Sequence, residues 1–326
     1  MNTRILLDVG STNSRAWLVR DGQIIEARTL AVGVRDSARE GHTRSVRAAV
    51  AELIGALTPG DGAYGIAAAG MITSAQGLAE IPHVPAPASA FDLARAAVEY
   101  AAPEIGCVPI LLVPGVRTAG ADDELRADVM RGEETLAVGL VETGLMGPSS
   151  FLLNAGSHWK LVALDADGRV LRSRTSLGGE VVHAVQSGTL LAASLPQGAL
   201  ATVQPEWLEA GAGASEKEGL LRALFAVRLL DQRNNTTPEQ RFSWMVGACI
   251  GDDVRALVQG GMLARGARVF ISGPGAVPEA WVQLLRREGC EAVALTAEAV
   301  ERAFVTGLWH IASLRAHIRG GEGRRS

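Results

Sequence analysis

The sequence predicts a mixed α/β protein built from two similar lobes, and three observations carry this prediction. Residues 4–13 form an apolar, β-favouring run that delivers an acid and then turns through glycine, serine and threonine. A run of the same shape returns at residues 150–158. After each copy, short apolar segments alternate with segments whose apolar residues recur every three or four positions, as in amphipathic helices. We therefore expect each lobe to contain a mixed sheet that begins with three antiparallel strands.

The repeat is visible in matched residues as well as in shape. A shift of 146 positions superposes identical residues of the strand, the turn and the following hairpin: Leu6 on Leu152, Leu7 on Leu153, Gly10 on Gly156, Ser11 on Ser157, Leu18 on Leu164, and Asp21-Gly22 on Asp167-Gly168. Asp8 falls on Asn154 in this comparison. Because the turn residues stay in register, we expect the second half to repeat the strand-turn-strand unit of the first.

The remaining elements follow from periodicity and from breakers along the chain. Strands are predicted at residues 5–9, 14–20, 23–29, 64–69, 110–113, 151–153, 160–163, 170–175 and 269–271. Helices are predicted at residues 45–57, 91–100, 136–141, 181–191, 216–230, 242–263 and 297–318, the last of them packing across both halves. The proline-rich residues 81–87 are predicted as an ordered loop or edge segment.

Composition narrows the class of protein. The net charge of −4 and a pI near 5.9 argue against a surface that binds nucleic acid. Cys107, Cys249 and Cys290 lie far apart without metal-ligand spacing, which predicts neither a disulfide framework nor a zinc site. The first strand leaves no room for a signal peptide before it, and no apolar run reaches the roughly 20 residues of a membrane span. We therefore expect a cytoplasmic protein that does not bind membranes; the oligomeric state stays open.

Two turns are predicted to bind phosphate. Exposed backbone amides and hydroxyls suit a polyphosphate, and they are expected in the first turn at Gly10, Ser11, Thr12 and Asn13 and in the second at Gly156, Ser157 and His158. Asp8 suits the hydrated Mg²⁺ that accompanies a nucleotide. Two such turns from duplicated halves can hold the phosphates of one nucleotide from both sides. Either turn alone is also typical of an ordinary hairpin.

A third glycine-rich turn follows the predicted strand 269–271. Its residues, Gly273, Pro274 and Gly275, let the backbone approach something flat or bulky because the glycines carry no side chain. We interpret this turn as a contact for adenine or ribose, with an ordinary loop as the alternative.

Adjacent carboxylates precede the predicted helix 136–141. Glu133 and Glu134 follow Arg131 and Gly132, and acids at this place are often electrostatic caps of the helix N-terminus. The functional interpretation is a general base, which accepts the proton of a sugar hydroxyl as the terminal phosphoryl group transfers.

Other charged residues near the turns are candidate ligands. His158 and Lys160 follow the second turn, where a cation can meet a phosphate or a substrate carboxylate. Glu180, which follows two glycines, is either a ligand contact or a helix cap. Arg15 and Arg117 either pair with a substrate carboxylate or are solvated surface residues.

In this order, the motifs resemble the sugar kinase, Hsp70 and actin superfamily. Within it, the segments 8–17, 129–135 and 156–160 are similar to the 2-dehydro-3-deoxygalactonokinase family, with supporting matches at 69–71, 82–87, 179–180 and 273–274. The resemblance implies two duplicated RNase H-like domains of the actin-like ATPase fold with a cleft between them, at residues 1–136 and 137–318, and a flexible tail at 319–326. It also implies the use of ATP and Mg²⁺ and a small sugar-acid substrate, 2-dehydro-3-deoxy-D-galactonate, phosphorylated on its 6-hydroxyl in galactonate breakdown.

The resemblance also implies roles for particular residues. By their place before the second turn, Glu134 is the better candidate for the base and Glu133 for a substrate ligand, with Asp8 on the metal. Further substrate contacts are expected at Arg15, Gly70, Met71, Arg131 and Glu180. Two departures from the expected pattern are Asn154, where relatives often carry an acid, and Gly178, where threonine is expected before Gly179-Glu180.

Three alternatives stay open at this point. The first alternative is a kinase of another 2-keto-3-deoxy sugar acid, such as the gluconate epimer, since epimers differ at one carbon only. The second alternative is an exopolyphosphatase-like hydrolase, which transfers the phosphoryl group to water. The third alternative is a nucleotide-binding module that has lost phosphoryl transfer. The presence of Asp8, Glu133 and Glu134 together argues against this alternative.

Overall fold

The computed structural model describes residues 2–60, 63–118, 127–198, 202–233 and 235–322, and only the backbone of residues 321–322. The strands are β1 Thr3–Val9, β2 Ser14–Arg20, β3 Gln23–Leu30, β4 Gly65–Gly70, β5 Val84–Pro85, β6 Val98–Tyr100, β7 Ile110–Leu112, β8 Val116–Thr118, β9 Asp128–Met130, β10 Phe151–Ala155, β11 Trp159–Leu164, β12 Val170–Ser176, β13 Arg268–Ser272 and β14 Glu291–Ala294. The helices are α1 Val34–Glu40, α2 Arg44–Leu57, α3 Ala90–Ala96, α4 Glu133–Glu142, α5 Gly178–Gly188, α6 Pro205–Glu218, α7 Leu220–Gln232, α8 Pro238–Gln259, α9 Val277–Arg287 and α10 Ala297–Glu322. Among the described residues, no helix combines the length and apolarity that crossing a membrane requires.

The chain forms two compact units. The first comprises Met1–Ser149, Leu164–Ser173 and Glu298–Ser326, and the second comprises Ser150–Ala163 and Arg174–Ala297. The units therefore take residues 137–149 and nearly all of α10 with the first half of the chain. The predicted boundary at residue 136 concerns the duplicated domains, which this division does not test, and it stays a prediction.

The same strand order occurs in both main sheets, which confirms the predicted duplicated α/β fold. In the first, the order is β3-β2-β1-β4-β7-β6, and in the second it is β12-β11-β10-β13-β14. The first strand of each sheet, β1 or β10, pairs antiparallel with the next strand in sequence and parallel with β4 or β13. The first sheet adds an antiparallel edge strand, β6, and a small sheet of order β5-β8-β9 lies in the same half of the chain.

Each unit has its own apolar core, built from the inward faces of its strands and the apolar stripes of its helices. In the first unit, Ile5, Leu7 and Val9 of β1 pack with Val50 and Leu53 of α2. In the second unit, Leu153 of β10 and Leu161 of β11 pack with residues of α8 and α9, including Ile250 and Trp281. These cores hold β1 and β10 in place, and the candidate turns lie at the ends of these two strands.

Several predicted helices differ from the structure in extent. The helices predicted at 181–191 and 242–263 end at Gly188 and Gln259, and two others are interrupted. The segment 91–100 ends its helix at Ala96, because Ala97 adopts an extended conformation and residues 98–100 pair with β7 as an edge strand. The segment 216–230 is two helices, since Gly219 has φ +84° and breaks the backbone between α6 and α7. The last helix runs to Glu322, four residues beyond the predicted end, and residues 323–326 of the predicted tail lie outside the described residues.

Candidate active site

The first turn is a four-residue loop that closes at the end of β1. Its preceding residues pair across to β2, Asp8 with Arg15 and Val9 with Ser14. The loop is closed by the amide of Gly10, which donates to the carbonyl of Asn13 at 2.9 Å. The side chains of Thr12 and Asn13 are exposed, so the polar groups predicted for phosphate contact are accessible.

The N-terminus of α1 supports this turn. The amide of Val34 donates to the carbonyl of Gly10 at 3.1 Å, and that of Arg35 donates to the carbonyl of Ser11 at 2.9 Å. A Cβ atom at Gly33 would lie 2.5 Å from the Ser11 carbonyl, so only glycine fits there. In a trans peptide the C=O and the following N–H point in opposite directions. Because two carbonyls of the turn face α1, the amides of the next residues point away from the helix, where they can bind an anion.

Asp8 lies in an environment that opposes its charge. Burial raises the pKa of its carboxyl to about 6, Arg15 lowers it and Glu133 raises it. The electrostatic coupling shows that the first turn and the start of α4 lie close together within this unit.

Two glycines bring the carboxylate segment to Asp8. Gly70, the last residue of β4, has φ +88°, and a Cβ atom there would lie 2.7 Å from the Val9 carbonyl oxygen and 3.0 Å from Oδ1 of Asp8. A Cβ atom at Gly132, which has φ +111°, would lie 3.4 Å from the Cα of Gly70. The structure therefore brings together Asp8, the predicted contact Gly70 and the residues that begin α4.

The two glutamates at the start of α4 have different surroundings. Glu134 is fully buried, and its two carboxylate oxygens accept from the amide of Gly132 at 2.8 and 2.9 Å, with the Thr135 hydroxyl at 3.3 Å. Glu133 is partly exposed and is coupled to Asp8. The capping interpretation thus describes Glu134 well, while Glu133 is the more accessible carboxylate.

The other predicted substrate contacts of this unit have mixed surroundings. Arg131 donates to the hydroxyl of Thr73 at 2.8 Å and to the carbonyl of Ile81 at 3.0 Å. Burial lowers the pKa of Arg131, and the negative charge of Glu134 raises it. Met71 packs on the core of the first unit. Arg15 is exposed on β2. Two of the guanidinium nitrogens of Arg131 therefore hold the segment around residues 73–81 in place.

The second turn repeats the first with one residue fewer. It spans Gly156, Ser157 and His158 between β10 and β11, and the pair Asn154–Lys160 takes the place of Asp8–Arg15. The N-terminus of α5 supports it, because the amide of Glu180 donates to the carbonyl of Ser157 at 2.8 Å. A Cβ atom at Gly179 would lie 2.1 Å from the carbonyl oxygen of Gly156.

The third turn adjoins the second. Ser272, at the end of β13, pairs with Asn154 and donates to its Oδ1 at 3.2 Å. The next residue, Gly273, has φ +156°, and a Cβ atom there would lie 2.8 Å from the carbonyl oxygen of Ala155. Gly275 also has positive φ, at +61°, so the turn around Pro274 depends on glycine. Gly70 and Gly273 are thus structural equivalents. Each packs against the carbonyl of the residue that precedes the first glycine of a turn, Val9 or Ala155.

The charged residues predicted beside the second turn are partly engaged. Nε2 of His158 lies 3.6 Å from Oε1 of Glu180, and both side chains are exposed by about two fifths, at 42% and 44%. Lys160 lies on β11 and is only 7% exposed. Their assignment to the nucleotide or to the substrate stays a prediction.

Gly33 is the residue of this site that the sequence interpretation missed. The signal was present, because the shift of 146 positions places Gly33 on Gly179, with Arg28-Thr29 on Arg174-Thr175 just before them. The repeat therefore extends beyond the hairpin to the glycine that precedes or begins the next helix and packs against the turn.

The repeated sheets and their glycine turns have the actin-like ATPase fold. Within this fold, the family model and the curated relative identify a carbohydrate kinase. The model of the 2-keto-3-deoxy-galactonokinase family matches residues 8–311, and the chain belongs to this family. Membership of a kinase family implies the use of ATP.

Individual relatives agree with this assignment. The chain is 27% identical over 309 residues to the 2-dehydro-3-deoxygalactonokinase of Escherichia coli K12, covering 94% of this chain and 97% of the relative. A crystal structure of a candidate 2-dehydro-3-deoxygalactonokinase from Sinorhizobium meliloti has a TM-score of 0.76 at 22% identity, over 95% and 98% of the two chains. The ADPNP-bound activator of 2-hydroxyisocaproyl-CoA dehydratase from Clostridium difficile has a TM-score of 0.52 at 14% identity, over 98% and 97%. These two likenesses show the fold.

Proposed function

We propose that the chain transfers the terminal phosphoryl group of ATP to the 6-hydroxyl of 2-dehydro-3-deoxy-D-galactonate. The product is 2-dehydro-3-deoxy-6-phosphogalactonate, formed in galactonate and galactose catabolism. The family match and the E. coli relative support the substrate class. The observation that carries the chemistry is the close approach of Asp8, Gly70 and Glu133, the neighbour of Glu134, at the end of β1.

The two turns are proposed as the phosphate-binding elements of their units. In each, carbonyl oxygens face the N-terminus of the following helix, which turns amides toward the opposite side. The third turn, at Gly273, Pro274 and Gly275, is proposed for the adenosine part. His158 and Lys160 are proposed as cationic contacts of the nucleotide.

Asp8 fits the Mg²⁺ that accompanies ATP. Among the described residues, no group of three or more His, Cys, Asp or Glu side chains is arranged to hold a metal. Mg²⁺ bound with a nucleotide keeps several waters and needs only one or two carboxylates beside the phosphates. Asp8 supplies one hard oxygen ligand, and the bound ion would neutralise charge on the transferring phosphoryl group.

The base belongs to the glutamate pair, and two arguments point to different members. Its place before the second turn favours Glu134, whereas the exposure of Glu133 favours that residue, since a base must reach the sugar hydroxyl. The remaining residues proposed for the sugar acid are Arg15, Gly70, Met71, Arg131 and Glu180.

Separate replacements test the base. We expect Glu134→Gln or Glu133→Gln, whichever removes the base, to lower kcat by roughly 10²- to 10⁴-fold while ATP binding stays close to normal. ADP release and ATP binding are measured for both, with Glu142→Gln at the end of α4 as a control. If both variants turn over like the wild type, the assignment of the base to this pair is wrong.

A further inference from the structure

In the second unit, hydrogen bonds of Ser176 join α8 to the segment that packs against the second turn. Oγ of Ser176, the last residue of β12, donates to Oδ2 of Asp253 on α8 at 2.5 Å. The same Oγ accepts from the amide of Gly178 at 3.3 Å. Burial raises the pKa of Asp253 to about 6, although the hydrogen bond from Ser176 lowers it; of the nearby charges, Asp252 raises it and Arg174 lowers it.

The segment held by these hydrogen bonds touches the second turn along its length. A Cβ atom at Gly178 would lie 2.1 Å from Cε3 of Trp159, the residue after the turn. Gly179 packs on the carbonyl of Gly156, and the amide of Glu180 donates to the carbonyl of Ser157. A displacement of the segment must therefore move the carbonyls of the turn, and with them its amides.

The segment also borders a cavity. A cavity of about 120 Å³ is lined by Ser176, Asp253, Trp159 and Trp281 among others. Nε1 of Trp281 is buried and has no hydrogen-bond partner within the described residues. The space beside Ser176 is not filled by side chains, so the hydrogen bonds of its hydroxyl help to hold the segment, together with Val182 and Val185 of α5 in the core.

We infer that Ser176 and Asp253 are positioning residues that hold the second turn in the conformation that binds the phosphates of ATP. The inference rests on the proposed function, in which this turn is a phosphate-binding element. Each acts through Gly178, Gly179 and Glu180, the residues that touch the turn.

The test compares Ser176→Ala with Ser176→Thr in steady-state kinetics of the full chain. We expect the KM for ATP to rise about tenfold in Ser176→Ala, because this change removes both hydrogen bonds of the hydroxyl, with kcat within about threefold of the wild type. Ser176→Thr keeps the hydroxyl and should restore the KM. Asp253→Leu removes the acceptor of the Ser176 hydroxyl and should also raise the KM for ATP.

A matched control separates positioning from general stability. Ser194 makes a similar bond to Asp231 at 2.7 Å in the same unit and is fully buried, so Ser194→Ala should lower the Tm without changing the KM for ATP. An unchanged KM in Ser176→Ala, or equal changes in Ser176→Ala and Ser194→Ala, overturns the inference. If the wild type itself transfers no phosphoryl group to any sugar acid, the proposed function fails; ATP affinity, measured by calorimetry on the same variants, then still decides the inference.

Discussion

Asp8 combines a partly buried position with a charge that the proposed metal site requires. Its neighbours act in opposite directions on its pKa, which burial raises to about 6. A carboxylate kept in such a place costs stability in the absence of a cation, and this cost is a measurable property of one residue.

Stability measurements across pH test the environment of Asp8. Between its ordinary pKa of 3.8 and about 6, the folded chain holds a proton that the unfolded chain has lost. This stabilising contribution is fully present below pH 3.8 and is lost as the pH rises through about 6. Asp8→Asn removes the titration, so its free energy of unfolding relative to the wild type should rise by about 2 kcal/mol between pH 4 and pH 7.

The measurement is urea unfolding without Mg²⁺ at both pH values. Asp21→Asn, at an exposed hairpin position, is measured alongside as the control. A difference between Asp8→Asn and wild type that does not vary with pH would contradict the raised pKa.

Sequence information reached the residues of the turns but not their supports. Asp8, Gly10 and Gly156 stood out because glycine and an acid at a strand end form a local pattern. Asp253 could not be identified from the sequence, because its hydrogen bond to Ser176 joins residues 77 positions apart and no local sequence pattern indicates such a pair. The burial of Glu134 also depends on tertiary packing, so sequence alone could not separate it from Glu133.

At the scale of elements, α4 and α10 pack backbone against backbone in the first unit. A Cβ atom at Gly139 of α4 would lie 1.6 Å from the carbonyl oxygen of Ala303, and one at Gly307 would lie 2.2 Å from that of Thr135. The contact positions α4, which begins with the glutamate pair.

Alanine replacements test this helix contact. Gly139→Ala should destabilise the protein by about 2–4 kcal/mol, since backbone atoms must move apart to admit the methyl group. Gly55→Ala in α2 is the matched control, because nothing lies within 4 Å of its Cβ position, and it should stabilise by about 0.5–1 kcal/mol. Thermal unfolding of both variants is the measurement, and equal Tm shifts would show that the close contact does not exist.

The elements that sequence predicted poorly share a cause. The segment 91–100 has helical spacing, yet residues 98–100 form an edge strand because β7 offers a pairing partner. The single break between α6 and α7 depends on the backbone of Gly219, whose positive φ the periodicity of residues 216–230 does not reveal.

For the whole molecule, duplication is the feature that was most accessible from sequence. The shift of 146 positions connects equivalent strands, turns and supporting glycines, and both sheets share one strand order. The two halves differ in added elements, such as β6 and the small sheet of the first half, and in particular residues. Asn154 replaces Asp8, so we propose that both turns bind phosphate while the first also holds the metal.

The central claim is phosphoryl transfer to a 2-keto-3-deoxy sugar acid, and a coupled assay of ADP release tests it most directly. The wild type is supplied with ATP, Mg²⁺ and either 2-dehydro-3-deoxy-D-galactonate, its gluconate epimer or no sugar acid, and the product is identified by ³¹P NMR. We predict ADP release that depends on the galactonate derivative, with one new phosphate monoester on its C6 oxygen. Release of inorganic phosphate without a sugar acid, or no ADP with any of them, would contradict the account.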